Sequence, residues 1–182
     1  MIGIYIIGGI LVLLIIYVIA LYNGLIKLKV RVQNAWSQID NQLKRRHDLI
    51  PNLIETVKGY AKHEKELFEQ VADARARSMG GNIAEQAEAS DELTKGISKI
   101  IAVGEAYPEL KANSSFEKLQ VELVGTEDKI AFARQFYNDS VQAFNQKLMM
   151  FPTNIIGNML GFTSKEFFQV ADKEKANVKV KF

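Results

Sequence analysis

The sequence has 182 residues, a formal net charge of +2 and no cysteine. Such a chain has room for one domain with its own core, and its small net charge argues against nucleic acid as a partner. Without cysteine it has no disulfide, zinc ribbon or cysteine nucleophile.

The chain begins with an apolar run, residues 1–22, that contains no charged residue, histidine or proline. As a helix this run is roughly 30 Å long, the thickness of the hydrocarbon core of a bilayer. A cleaved signal peptide is the alternative, but it would have a basic start, a shorter apolar run and a small-residue cleavage site. We therefore predict a retained transmembrane helix over residues 1–23.

The flank of this helix is basic, because Lys27, Lys29 and Arg31 follow it and the first acidic residue is Asp40. The positive-inside rule predicts that the rest of the chain lies in the cytoplasm. These three cations are also well placed to contact anionic lipid at the membrane surface.

A heptad-like apolar stripe follows and runs without a slip from Leu28 to Ala74. Its spacing alternates four and three residues, which is typical of a coiled coil or of a helix packed in a bundle. Gly80 and Gly81 end the pattern, so we predict one helix over residues 25–79, roughly 80 Å long. Pro51 predicts either a kink or a reversal, and the unbroken register favours a kinked continuous helix.

Two further long helices are predicted, over residues 83–107 and 115–150. Ser114 begins a capping-box pattern for the second of them, and Phe132 and Phe136 widen its apolar face, so we expect it to be the most buried helix. The fold class is therefore all-α: a transmembrane helix, a bundle of long antiparallel helices over residues 24–163, and a tail over residues 164–182. The tail ends in a lysine-rich segment that is either frayed or a short docking strand.

The helix lengths differ in a way that predicts association. The helix over residues 83–107 is roughly 37 Å long, less than half the length of the helix it would pack against. The stripe from Leu28 to Ile50 would then lack a partner within the chain, and exposed stripes of that length usually mark an interface. We therefore predict a homo-oligomer, unless Pro51 folds the chain back.

Two charged residues interrupt the apolar stripe, Arg46 and Glu64. A charge at a packed position needs a partner, and Glu127 and Glu122 are both candidates for Arg46. For Glu64 the candidates are Arg75, Arg77 and Arg134. Polar residues inside such stripes often fix helix register or oligomer state, and we prefer this structural role to catalysis.

Lys44, Arg45 and Arg46 form a basic triplet about 20 residues beyond the anchor, roughly 30 Å along a helix and too far to reach lipid headgroups. Solvated or intramolecular pairing is the simplest interpretation, and partner docking is the alternative. His47 and His63 are too far apart on one helix to share a metal ion, and no nucleophile or phosphate-loop motif is present. We predict no catalytic residue, no metal and no cofactor.

Several blocks carry a resemblance to a known family: NAWSQID at residues 34–40, QLKRRHDLIPNL at 42–53, ETVKGYA at 55–61 and AYPELKAN at 106–113. Over nearly its whole length the chain resembles the LemA proteins of bacteria, departing from their pattern at Phe144, where they tend to have tyrosine. The resemblance implies a membrane protein with one anchor, a bundle of long helices and no established biochemical activity. A related protein is associated with magnetosome membranes, which makes a role in membrane organisation plausible by analogy.

These observations favour a protein without catalytic activity of its own, an assembly or scaffold element that self-associates through its helical stalk at the membrane surface. The alternative is an accessory or sensor subunit that regulates a partner membrane enzyme through the region of Arg46 and Glu64. In both cases the predicted partners are lipid and protein, with no nucleic acid.

Overall fold

The computed structural model describes residues 1–61 and 63–169, and within them it is all-helical, with no strand. This confirms the all-α prediction. The helices are α1 (Ile2–Lys58), α2 (Lys65–Ser78), α3 (Ile83–Ala106), α4 (Pro108–Lys111), α5 (Ser114–Met149) and α6 (Thr153–Met159). The lysine-rich end of the chain, for which either a frayed tail or a short docking strand was expected, lies outside the described residues.

Helix α1 begins with the apolar run and is, among the described residues, the one helix long and apolar enough to cross a membrane. It continues through Pro51, so the chain does not reverse there. It ends at Lys58, however, and the single helix predicted over residues 25–79 is in fact two helices, α1 and α2. The break lies at Gly59, after which the amides of Tyr60 and Ala61 both bond to the carbonyl of Val57 and close the last turn.

The chain divides into two compact units. Unit 1 comprises Met1–Gln38 and Gln135–Glu166, and unit 2 comprises Ile39–Arg134 together with the described residues from Phe167 onwards. The predicted limits of anchor, bundle and tail remain predictions.

In unit 1 the part of α1 beyond the apolar run is packed along one face. Leu25, Val32 and Ala35 are buried there, and the ring of Trp36 meets that of Tyr137 edge-on at 5.5 Å. The segment after α6 is bonded to α5: Asn145 exchanges two hydrogen bonds with the main chain of Lys165, and the hydroxyl of Tyr137 donates to the carbonyl of Glu166.

In unit 2 the rest of the stripe is also buried, including Ile39, Leu43 and Ile50. Helix α2 packs against α3, and the core takes side chains from α1, α2, α3, α4 and α5. The premise that the stripe from Leu28 to Ile50 lacks a partner within the chain is therefore wrong. The helix over residues 83–107 need not cover the stripe alone, because α5 is 36 residues long. Self-association itself stays a prediction.

Two predictions about α5 are wrong. Its cap is Asn113, whose side-chain oxygen accepts hydrogen bonds from the amides of Ser115 and Phe116, whereas Ser114 is the first helical residue. Phe132 is 73% exposed and Phe136 is 37% exposed, so neither widens the buried face. A capping box is present at the start of α3, where Asn82 and Glu85 each bond to the other's backbone amide.

Gly104 on α3 lies against the buried ring of Phe116, and a methyl group at this position would be 2.3 Å from Cζ of that ring. We expect Gly104→Ala to lower the free energy of unfolding by about 1–2 kcal/mol, since overpacking outweighs the better helix propensity of alanine. Thermal unfolding of the full chain in a mild detergent measures this. Gly125→Ala is the control, because its new methyl group meets no atom within 4 Å. Equal melting temperatures for the two variants would contradict the packing.

Candidate functional site

Arg46 is the centre of a polar network inside unit 2, and its side chain has no solvent exposure. Nη1 lies 2.8 Å from Oε1 of Glu127 and donates to the hydroxyl of Thr94 at 3.0 Å, while Nη2 donates to the hydroxyl of Ser90 at 2.7 Å. Ser90 and Thr94 lie one turn apart on α3, and Glu127 lies on α5. One guanidinium group therefore joins α1, α3 and α5.

The charges of the network balance locally. Glu127 is 23% exposed, and its second oxygen accepts a hydrogen bond from Thr94 at 2.8 Å. The buried cation thus has a carboxylate partner, which a charge removed from water requires. Of the two candidates left open by the sequence, Glu127 is the partner of Arg46. Within the described part of the chain, Nε of Arg46 and Oε1 of Gln42, one turn apart on α1, are buried without a hydrogen-bond partner.

His47, the next residue, forms a second connection, between α1 and α2. Its Nε2 lies 2.7 Å from the hydroxyl of Ser78, and that hydroxyl donates to the carbonyl of Arg75. Because the one hydroxyl proton is used in this way, Nε2 of a neutral imidazole is the donor to Ser78. Arg75 closes the motif by donating from Nε to the carbonyl of His47 at 2.8 Å.

The pKa of His47 is lowered to about 4. Burial is the main cause, since it disfavours the charged ring, and the nearby cations Arg46 and Arg75 act in the same direction. Asp48 and Asp40 oppose the shift but do not overcome it. His47 is therefore neutral in the folded protein near pH 7.

Two ion pairs flank the network. Arg45 lies 3.3 Å from Glu122, with both side chains about half exposed. Arg134 on α5 pairs with Asp91 on α3, and its guanidinium also stacks 5.2 Å from the ring centroid of the buried Phe168. Arg45 and Arg134 therefore tie α5 to α1 and to α3, beside the buried pair.

The other predicted site residues do not join this network. Lys44 is exposed on α1, and Glu64 lies in the turn before α2, half-buried. The arginines considered as partners of Glu64 are otherwise engaged: Arg75 with the His47 carbonyl, Arg77 with Asp73 and Glu92, and Arg134 with Asp91.

The three predicted membrane-surface cations lie in unit 1. Lys29 approaches the ring of Phe162, and Arg31 that of Phe136, at 5.9 and 5.3 Å from the ring centroids. Lys27 is exposed.

Sequence reasoning missed Ser90, Thr94 and Ser78, the hydroxyl partners of Arg46 and His47. Ser90 and Ser78 are buried, and each shares the buried face of its helix with apolar residues, Ala87 and Leu93 for Ser90 and Val71 and Ala74 for Ser78. A serine or threonine on the apolar face of a helix is a usable signal, because a buried hydroxyl needs a bonding partner.

The chemistry available to this arrangement is that of a structural network. Its hydroxyls bond to charged groups and carbonyls, and among residues 1–61 and 63–169 no group of three His, Asp or Glu side chains is placed to hold a metal ion. A groove of about 280 Å³ between α2 and α3 is lined by Arg77, Glu92 and Lys95, among others, and it does not include Arg46 or His47.

The profile of the LemA family matches residues 35–182. This chain belongs to the LemA family. Among curated relatives, this LemA-family chain is 28% identical over 160 residues to Protein LemA of Metamycoplasma hominis, an alignment that covers 86% of the chain and 72% of that protein. It is 23% identical over 175 residues to Magnetosome protein MamQ 2 of Paramagnetospirillum magneticum, covering 81% of the chain and 64% of the relative. It is also 23% identical over 174 residues to Magnetosome protein MamQ of Magnetospirillum gryphiswaldense, again covering 81% of the chain and 64% of the relative.

The chain thus spans just under two thirds of the length of its MamQ relatives. Together, the apolar α1 and membership of the LemA family indicate a membrane location.

Proposed function

We propose that this protein is a membrane-anchored assembly element without catalytic activity, and that it self-associates through the outward face of α5. The observation that carries the proposal is an apolar stripe on α5 within unit 2. Val121, Val124 and Phe132 are all exposed there, between 51% and 73%. They lie on the side of α5 opposite Phe116, Leu123 and Ile130, which are buried.

A second copy of the chain is the partner this stripe fits best. Copies anchored in one bilayer by α1 are confined to the same surface, which raises their effective concentration relative to each other. Lys118 and Lys129 border the stripe, and Asp128 lies within it, one turn from both Val124 and Phe132. A second copy supplies lysines of its own, which a carboxylate buried at this interface requires as partners. The relatives named as magnetosome proteins are compatible with a role in assembly.

The orientation belongs to the same proposal. Lys27, Lys29 and Arg31 follow the apolar run of α1 directly, and this positive flank supports a cytoplasmic bundle at the inner membrane of a bacterium.

The test is the mass of the full chain in a mild detergent, measured by light scattering. We expect an oligomer for the natural sequence and, for Phe132→Ser, association weakened at least about tenfold, because burying one phenylalanine is worth about 1.5–3 kcal/mol. Met79→Ser is the matched control, since Met79 is also an exposed large apolar residue of unit 2 but lies outside the stripe. A natural chain that is monomeric under these conditions would contradict self-association.

An accessory or sensor subunit of a membrane enzyme remains the second candidate. Because Arg46 has no exposed surface, it is not available to a partner in this fold, and exposed Lys44 is the better contact of the basic triplet. Arg46→Ala therefore tests the stability of unit 2 and does not separate the two candidates. A protein of another kind bound at Lys44, in a chain that stays monomeric, would favour the second.

A further inference from the structure

Unit 1 exposes a cluster of large apolar side chains at the turn between α5 and α6 and on α6 itself. We call it the α6 patch, and Phe151 and Met159, exposed by 80% and 81%, are its most accessible members. Soluble proteins scatter such residues singly, whereas a concentrated group marks a surface that meets another apolar phase. The patch consists of Met149, Met150, Phe151, Ile155, Met159 and Leu160.

Contacts within unit 1 place the patch along α1. Trp36 meets Tyr137 at 5.5 Å, and Gly157 lies against both Leu148 and Leu25: a methyl group on Gly157 would be 2.4 Å from a carbon of the first and 3.6 Å from a carbon of the second. Leu25 lies 11 residues before Trp36 on α1, and Leu148 lies 11 residues after Tyr137 on α5. The two segments therefore run antiparallel and in register. Three residues beyond Leu148, Phe151 is level with Tyr22.

Tyr22 is where the apolar run of α1 ends. Leu25, beside which α6 packs, lies only about 5 Å further along the helix axis. The headgroup layer on each side of a bilayer is about 5–7 Å thick. A membrane crossed by residues 2–22 would therefore have its headgroup and outer acyl layer at the height of the α6 patch.

The charges of unit 1 agree with this position. The unit contains five basic residues and two acidic ones, and the two acids, Asp139 and Glu166, lie outside the patch. Lys27 on α1 and Lys147 on the last turn of α5 lie near the level of the patch. Juxtamembrane cations of this kind attract anionic lipid headgroups.

We propose that the α6 patch inserts into the interfacial layer of the bilayer that α1 crosses, as a second and monotopic membrane contact, with the surrounding lysines facing anionic headgroups. The α1 span, exposed at every residue from 2 to 20, and the patch together form one continuous lipid-facing surface. Helix α6 is held in place on unit 1, since Gly157 is packed against Leu148 and Leu25 and the segment after α6 is hydrogen-bonded to α5. Self-association through α5 is not required for this contact.

The test uses spin labels, because the chain has no cysteine of its own. Single cysteines replace Phe151, Met159 and, as the control, Gln142, which is exposed on α5 and level with Arg31, about 14 Å beyond Tyr22. Each labelled full chain is placed in vesicles of phosphatidylcholine and phosphatidylglycerol. Collision of the label with oxygen, which concentrates in lipid, is compared with collision with a water-soluble nickel chelate.

We expect the oxygen-to-nickel collision ratio at positions 151 and 159 to be several-fold higher than at position 142. Nickel access at 151 and 159 equal to that at 142 would overturn the proposal, since the patch would then lie in water. Shielding from both reagents would overturn it as well, because protein, such as a second copy, would then cover the patch. Unchanged melting temperatures of the labelled chains show that they are folded.

Discussion

Arg46→Ala is expected to lower the free energy of unfolding of unit 2 by about 3 kcal/mol. The substitution leaves the carboxylate of Glu127 between α3 and α5 without its cation, and breaking a buried pair on one side typically costs about 3–5 kcal/mol. The lower end applies because Glu127 retains 23% exposure and can be partly hydrated. Denaturant unfolding in a mild detergent, followed by circular dichroism, measures the loss.

Two further variants show whether the charge itself is responsible. Arg45→Ala removes the neighbouring exposed pair with Glu122 and should cost less than about 1 kcal/mol. The double variant Arg46→Met with Glu127→Leu should recover most of the stability. Two apolar side chains of similar volume can be buried together without any ion-pair or hydrogen-bond partner. If Arg46→Ala were as mild as Arg45→Ala, the network would not hold the three helices together.

Stability is expected to fall by about 3 kcal/mol in total between pH 7 and pH 4 because of His47. Its pKa is about 4 in the folded protein and 6.5 when unperturbed. As the pH falls below 6.5 the unfolded chain takes up a proton that the folded chain does not, so the free energy of unfolding decreases, and this contribution levels off below about pH 4.

His47→Gln isolates this effect, because carboxylates also titrate toward pH 4. The melting temperature of the natural chain should decrease more steeply between pH 7 and pH 5 than that of His47→Gln, while His63→Gln, at an exposed position, should follow the natural chain. Parallel curves for all three proteins would show that His47 is not held neutral by its surroundings.

Much of the fold follows from periodicity, including the existence of α1, α3 and α5 and the limits of the last two within a residue or so. The break after Lys58 is not visible in the sequence pattern, because the four-and-three spacing continues across it through Val57, Tyr60 and Glu64. Tyr60 is exposed, whereas its neighbour Ala61 is buried. A periodic pattern reports which residues are apolar, and a short turn can preserve that spacing while the chain changes direction.

The polar network shows what could and could not be predicted. The charge of Arg46 at a packed position indicated a buried ion pair and suggested glutamates on α5. The choice between Glu127 and Glu122 depended on which side of α1 each arginine faces: Arg46 points into the core and meets Glu127, while Arg45 is turned outward and meets Glu122. Spacing along one helix carries no information on how a second helix is rotated against it, which is also why the exposure of Phe132 was mispredicted.

The assembly role is tested most directly by photo-crosslinking in living bacteria, with a benzophenone amino acid at position 132 of the full chain. Self-association through α5 predicts a dominant crosslink to a second copy of the chain, with mass spectrometry locating the joined peptide within residues 114–134. A position 79 probe should give much less of this product. A dominant crosslink from position 132 to a different membrane protein would contradict the proposal and identify this chain as an accessory subunit of that protein.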